Sequence, residues 1–235
     1  TNLPYHKFAR ALLTSSGSNF ENPPVNFYRA LQNKKPSDIG KAAALTFMGA
    51  RAENWPSNEQ ANLAVFFANV GYKYTGEWKE EIVFFNPAST NIDALNGSSR
   101  TAVFPDGSTA ALLPGHDPRA VFADWLVAPE NPWFSRNIVN RVWSWLLGRC
   151  IIQEPDDIRA DNPPSNPQLL AYLEKELIAS NYDLKHIFRL ILNSRTYQLS
   201  AIPRDANTNA AANFANYPLR RLDGFNARRR ALAAR

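Results

Sequence analysis

Three times in its second half the chain sets a short polar side chain directly before proline and then runs into apolar residues: Asp117-Pro118, Asn131-Pro132 and Asn166-Pro167. A side-chain oxygen there can accept from the free N–H groups of a first helical turn, and proline suits the next position because its missing N–H would have gone unused. The device commits this half of the chain to helices. After Asn131, Ile138, Val142, Trp145 and Leu146 fall on one stripe, closed by Gly148; after Asn166, Leu170, Leu173 and Leu177 do the same. Asp183 caps a further helix over Leu184 to Ser194, with Ile187, Leu190 and Ile191 on its buried face.

The first half reads as four helices, Pro4 to Ser15, Val25 to Gln32, Pro36 to Gly49 and Pro56 to Asn69, with Ser37 and Asp38 in the first turn of the third, at the favourable end of its dipole. Between the halves the pattern changes. Trp78, Ile82, Val83, Phe84 and Phe85 are dense in β-formers, and Asp106-Gly107 lies between apolar flanks, a strong hairpin signal. Asn86 to Arg100, rich in Asn, Ser and Gly, reads as an exposed connection, and Asp117 to Val127 returns to helix. The fold expected is mainly α, a multi-helix, bundle-like body with a small antiparallel β insertion. Its divisions are a helical segment 1–72, a hairpin and loop 73–116, a helical core 117–200 and a basic segment 201–235. Apolar stripes on both sides of the insertion need a partner face, so the two helical segments are expected to pack as one body.

Charge narrows the partners. The net charge is +5, but the last sixteen residues hold six arginines, Arg220, Arg221, Arg228, Arg229, Arg230 and Arg235, against Asp223, so residues 1–219 sum to zero. A neutral body with a basic end lacks the spread of positive charge that a nucleic-acid groove needs, and no nucleic-acid partner is expected. The basic end reads as a solvated terminus or a docking segment for an acidic partner. No run of apolar residues is long enough for a transmembrane helix. Cys150 is the sole cysteine, which excludes an internal disulfide and reads as a buried, inert thiol. His6, His116 and His186 stand on separate elements without the spacing of a helical metal pair.

The candidate chemistry is concentrated in one loop. Glu154, Asp156, Asp157, Arg159, Asp161 and Asn162 lie between Pro155 and Pro163-Pro164 or just outside them. Oxygen ligands of this kind can hold Ca²⁺, but the spacing is not that of a calcium loop and no glycine supplies the sharp turn; no metal site is assigned. Carboxylates so close in sequence rarely sit across a cleft as an acid and a base, and no catalytic residue is assigned. The reading preferred is structural: Asp156 or Asp157 pairs with Arg141, Arg159 or Arg195 and pins the loop to the helices. Breaking a buried pair costs about 3–5 kcal/mol, so Asp157→Ala should lower the melting temperature sharply, with Asp156→Ala as the matched test. Trp133 and Trp143, beside Asn131, Arg136, Asn137 and Asn140, form a candidate aromatic surface for carbohydrate, although their apolar helix also suits them to a core.

The stretch from Asn131 to Ser200, with NRVW, EPDDIR, NPPSNP and LNSRTYQLS in order, resembles one of two paired domains of unknown function that accompany planctomycete-type cytochrome c domains in large secreted bacterial proteins. Leu3 to Ala30, Ala44 to Arg51 and Ala61 to Tyr72 are similar to the end of the partner domain that precedes it. The resemblance implies export to the periplasm or the extracellular space. It also implies other protein subunits as partners, and either of two roles: a non-catalytic scaffold or interaction module of a multidomain assembly, or a component of a polysaccharide-degrading or cytochrome-linked redox system. Many relatives follow the FxGxR turn with a Cys-x-x-Cys-His-like string; here Arg51 is followed by Ala52, Glu53, Asn54, Trp55 and Pro56. Covalent haem is therefore not expected. The family also continues past RRLD, whereas this chain reads GFNARRRALAAR, so its end is expected to be truncated.

Overall fold

The computed structural model describes residues 2–88, 100–202 and 213–217. The basic end and most of the Asn86 to Arg100 connection lie outside the described residues.

Local chemistry sets the helix starts. Asp117 accepts from Arg119 N–H at the head of α5 (Pro118–Leu126), and Asn166 accepts from Leu169 N–H at the head of α7 (Pro167–Ala179). Asp183 accepts from Lys185 and His186 N–H to start α8 (Leu184–Leu192). Asn131 Oδ1 takes the N–H groups of Trp133 and Phe134 at 3.0 and 3.1 Å, and the regular helix α6 (Phe134–Leu147) begins just after that turn. Gly148 closes α6 at φ 76°, where a β-carbon would be strained.

The first half holds α1 (Tyr5–Leu13), a single-turn α2 (Asn26–Arg29), α3 (Pro36–Ala43) and α4 (Ser57–Val65). The expected helix from Pro36 to Gly49 changes character midway. Ala44–Met48 forms a π-helical turn that ends at Gly49, φ 62°. Proline at 23 and 24 confines the second helix, which is preceded by a 3-10 turn over Pro23–Val25.

The insertion divides into two sheets. In one, β3 (Glu81–Phe85) pairs antiparallel with β2 (Val70–Tyr74) on one side and with β1 (Gly17–Ser18) on the other; Tyr72 faces Val83, and Gly17 also faces Val83 from the opposite edge. In the other, β4 (Arg100–Val103) pairs with β5 (Thr109–Leu112) around Asp106-Gly107, with Gly107 at φ 83° and Asp106 Oδ1 accepting from Ser108 N–H at 2.9 Å. β1 has no β-rich run of its own and exists because β3 offers it an edge.

One apolar cluster runs from Tyr5 through Phe47, Phe67, Phe122, Val139 and Leu173 to Ile191. It draws on both helical segments. α6 is packed by the π turn as well as by α7 and α8, so its burial exceeds a single stripe: Asn137, Val139, Asn140 and Trp143 are buried together with Ile138 and Val142. Trp145, expected on the buried stripe, is 56% exposed. A second tie is polar. Arg119, 1% exposed, donates to Ser15 O and Ser16 Oγ at 2.9 Å each and to Asp117 Oδ2 at 2.7 Å, with its guanidinium over the Tyr28 ring. Burial pushes the Tyr28 hydroxyl up to about 12, so it stays protonated and donates to Leu13 O. The fold is mainly α with a small β insertion.

Candidate functional site: the seam under the 151–162 loop

α6 carries three polar residues on adjacent turns of one face, Asn137, Asn140 and Arg141, and the seam is built on them. Arg141 reaches in two directions. Nη1 and Nη2 donate to the Thr46 and Leu45 carbonyls at 2.8 Å each, while Nε and Nη2 hold Asp156 Oδ1 at 2.8 and 2.6 Å. Those carbonyls belong to the π turn, and the guanidinium supplies them with donors from outside it. Asn137 Nδ2 adds a third donor, to Thr46 O at 2.9 Å.

Asn140, fully buried, acts on the loop's entry. Its Oδ1 accepts from Ile151 and Ile152 N–H at 2.9 Å each, and its Nδ2 donates to Ile152 O at 3.1 Å, much as a neighbouring strand would. Further along, Ile158 N–H donates to Gly49 O at 2.9 Å, and Asn162 Nδ2 closes the loop on Gln153 O and Asp157 O at 2.6 and 2.8 Å. Gly49 is required here twice over: its φ of 62° favours glycine, and a β-carbon would stand 2.6 Å from Asn137 Oδ1. That Oδ1 is buried and meets no donor among the described residues.

The loop's ion pairs divide by the burial of their arginines, since the Asp157 side chain, 23% exposed, is itself less exposed than that of Asp156. Asp156 and Arg141 form a half-buried pair, at 35% and 19% side-chain exposure. Asp157 pairs with Arg159 at 3.1 Å, and Arg159, 56% exposed, also holds Asp161 at 2.8 Å. Glu154 is exposed. Arg195 is exposed beyond α8 and makes no ion pair with these carboxylates, so the structure brings Arg141, Asp156, Asp157, Arg159 and Asn162 together and leaves Arg195 apart. Beside the loop, burial pushes the Cys150 thiol up, and the charges of Asp156 and Glu154 push the same way. A protonated thiol is a poor nucleophile.

Of the two readings of Trp133 and Trp143, candidate aromatic surface or core, the packing favours the second. Trp143 is 2% exposed and meets Phe214 edge to face, and Trp133 is half-buried against Trp125. Trp143 is enclosed because α6 has neighbours on more than one side, and Trp133, just before α6, is spent in part on Trp125 of α5.

Between the loop and the Arg51 turn lies a cleft of about 590 Å³ lined by Arg51, Asn54, Trp55, Glu154, Asp157 and Arg159. Arg51 spans it, donating from Nε to Asp156 O at 3.3 Å. Its walls carry both signs of charge, suited to hydrogen bonding rather than to concentrating a cation. Among the described residues, no group of three His, Cys, Asp or Glu side chains is placed to hold a metal ion, and no helix is long and apolar enough to cross a membrane. Arg51 and the Leu45 and Thr46 carbonyls were missing from the sequence reading of the site, and Asn137 and Asn140 entered it only as polar neighbours of the aromatic surface. The signal for two of them was present: Asn137, Asn140 and Arg141 repeat at helical spacing inside an otherwise apolar helix.

Fold and seam together define a helical domain whose polar loop is fastened to an upstream helical segment. Residues 118–235, half of the chain, match the family PSD1, described as a protein of unknown function (DUF1553), and the chain belongs to that family. No curated protein and no solved structure matches it.

Proposed function

We propose that the chain is a non-catalytic scaffold or interaction module of an exported multidomain protein or assembly, with other protein subunits as its partners. The observation that carries this reading is how the polar groups of the 151–162 loop are used. Asp156 and Asn162 of the loop, with Asn140 and Arg141 of α6 facing it, each bind backbone or an opposite charge within the chain, and a polar network satisfied in this way rigidifies the fold. Covalent haem forms no part of the proposal. Ala52 is buried in the turn where relatives carry their cysteine-containing string, and Cys150 is the sole thiol.

The alternative is a component of an extracellular polysaccharide-degrading or cytochrome c-associated system, and the mixed-charge cleft beside Arg51 is the feature that favours it. One experiment separates the two. Purified full chain is incubated with neutral and sulfated polysaccharides, new reducing ends are followed, and the parent is melted beside Asp156→Asn and Asp157→Asn. The scaffold reading expects no release above buffer and a lowered melting temperature for Asp156→Asn. Release that is abolished by Asp157→Asn at unchanged melting temperature overturns it.

A further inference from the structure

Among the described residues, the three aromatic rings most exposed to solvent gather at one end of the three-stranded sheet. Tyr74, 72% exposed, ends β2; Trp78, 80% exposed, sits in the turn that follows; and Phe20, 58% exposed, lies just past β1. The register brings Phe20 to this end, because Asn19 N–H donates to Glu81 O as β1 runs antiparallel to β3. Tyr74 and Trp78 share the wall of a concavity of about 690 Å³ with Arg29, Glu77 and Lys79.

The turn that displays Trp78 is fastened. Glu80 accepts from Ser18 Oγ at 2.5 Å and from Thr75 Oγ1 at 2.6 Å, and Asn19 Nδ2 donates to Lys79 O at 3.4 Å. Lys79 stands in the left-handed region at φ 65°, and its ammonium lies 3.9 Å from the centre of the indole, covering one face. The turn is thus held in place while most of the indole's surface faces water. Single exposed rings are ordinary on a folded chain, but three gathered at one sheet end form a patch of the kind that marks binding, and displaying one of them on a fixed turn lowers the ordering cost of binding.

Size and charge decide what it fits. The concavity falls in the range of roughly 300–1,000 Å³ typical of small-ligand sites, and its rings are parted by polar groups, whereas a stable protein interface takes about 800 Å² from each partner around a contiguous core. Its charges balance: Arg29 and Lys79 stand against Glu77 and Glu80, and Glu81 is neutralised by Lys34. A polyanion gains nothing there. A sugar ring fits, since it has an apolar C–H face to lay on an aromatic ring and hydroxyls at its edge for guanidinium, ammonium and carboxylate groups. We infer that the Tyr74–Trp78 concavity is a binding site for neutral saccharide chains. The inference stands on the sheet and not on the 151–162 loop, so its failure leaves the scaffold reading intact.

The test is affinity gel electrophoresis of the full chain through xylan, galactomannan, hydroxyethylcellulose and starch. Retardation is expected in at least one neutral polymer. Trp78→Ala should weaken it tenfold or more and Tyr74→Ala by less, while Tyr172→Ala, an exposed ring elsewhere on the surface, leaves it unchanged. Melting curves should be the same for parent and Trp78→Ala. The inference is overturned if no neutral polymer retards the parent, if Trp78→Ala is retarded as strongly as the parent, or if Trp78→Ala instead releases a co-purifying protein, which would make the surface a protein dock.

Discussion

The 151–162 loop and the sheet end around Trp78 stand in opposite relations to their own sequence. The loop is rich in carboxylates and reads as a structural charge cluster, and Asp156, Asp157 and Asn162 are indeed engaged by α6 and by one another. The sheet end lies in what reads as a small antiparallel insertion with no chemistry assigned to it, yet it leaves Trp78 and Tyr74 facing solvent. Residue type therefore guides the reading in the first place and gives no warning of the second. What separates a fastening from a binding surface is whether a group's partners are already inside the chain, and that depends on residues far away in sequence.

The sharpest way to break the comparison is at the loop's entry. Asn140→Ala strands the N–H groups of Ile151 and Ile152 and the Ile152 carbonyl in a buried site, and should cost about 3–5 kcal/mol. Urea unfolding checks this, and a loss under about 1 kcal/mol would mean that the loop is held by something else. Asp156→Ala comes next at about 1–2 kcal/mol: the pair is only half-buried, and Arg141 keeps the two π-turn carbonyls when the carboxylate goes. Asp157→Ala should be weaker, about 0.5–1 kcal/mol, because its partner Arg159 is exposed and retains Asp161. The sharp fall expected from sequence for Asp157 therefore moves to Asp156 and shrinks, and a melting curve of each variant fixes their order.

The smallest stability effects belong to the sheet end. Trp78→Ala should change stability by no more than about 0.5 kcal/mol in chemical denaturation, since an exposed side chain has little packing to lose. Acid supplies a second probe. Hydrogen bonds from Ser18 and Thr75 hold the Glu80 carboxyl below its ordinary value of 4.5. A depressed folded value means that the contribution is complete above the unfolded value and is lost as pH falls through the folded one. The turn should therefore keep its order at neutral pH and loosen in acid below the ordinary range of Glu. Tryptophan fluorescence should show that acid transition in the parent and not in Glu80→Gln; identical titrations would detach Glu80 from the turn.

The legible parts of the fold are the local ones. Asp117, Asn166 and Asp183 cap the helices their positions predict because a cap needs only residues two or three places away. Asp106-Gly107 likewise turns a hairpin on its own. The two-residue strand β1 was not legible, since Gly17 and Ser18 become a strand only against Val83 and Ile82. Trp145 left its expected buried stripe for a similar reason: the periodicity of α6 assumes one buried side, and the helix has more than one neighbour. At the seam, the carboxylates and Arg141 were visible. Asn140's role was not, because a buried amide standing in for a strand is recognisable only once the peptide groups it serves are in view.

The guanidinium of Arg119 has a practical consequence for anyone dividing this protein. It belongs to the half matched by the family, one residue past the start of the match at 118, while its acceptors Ser15 and Ser16 and the ring beneath it, Tyr28, belong to the other half. An expression fragment cut at the family boundary would leave that cation without most of its setting and Phe122 without Phe66 and Phe67. The boundary by which the family is recognised is not a boundary at which the chain can be cut and still close its interior.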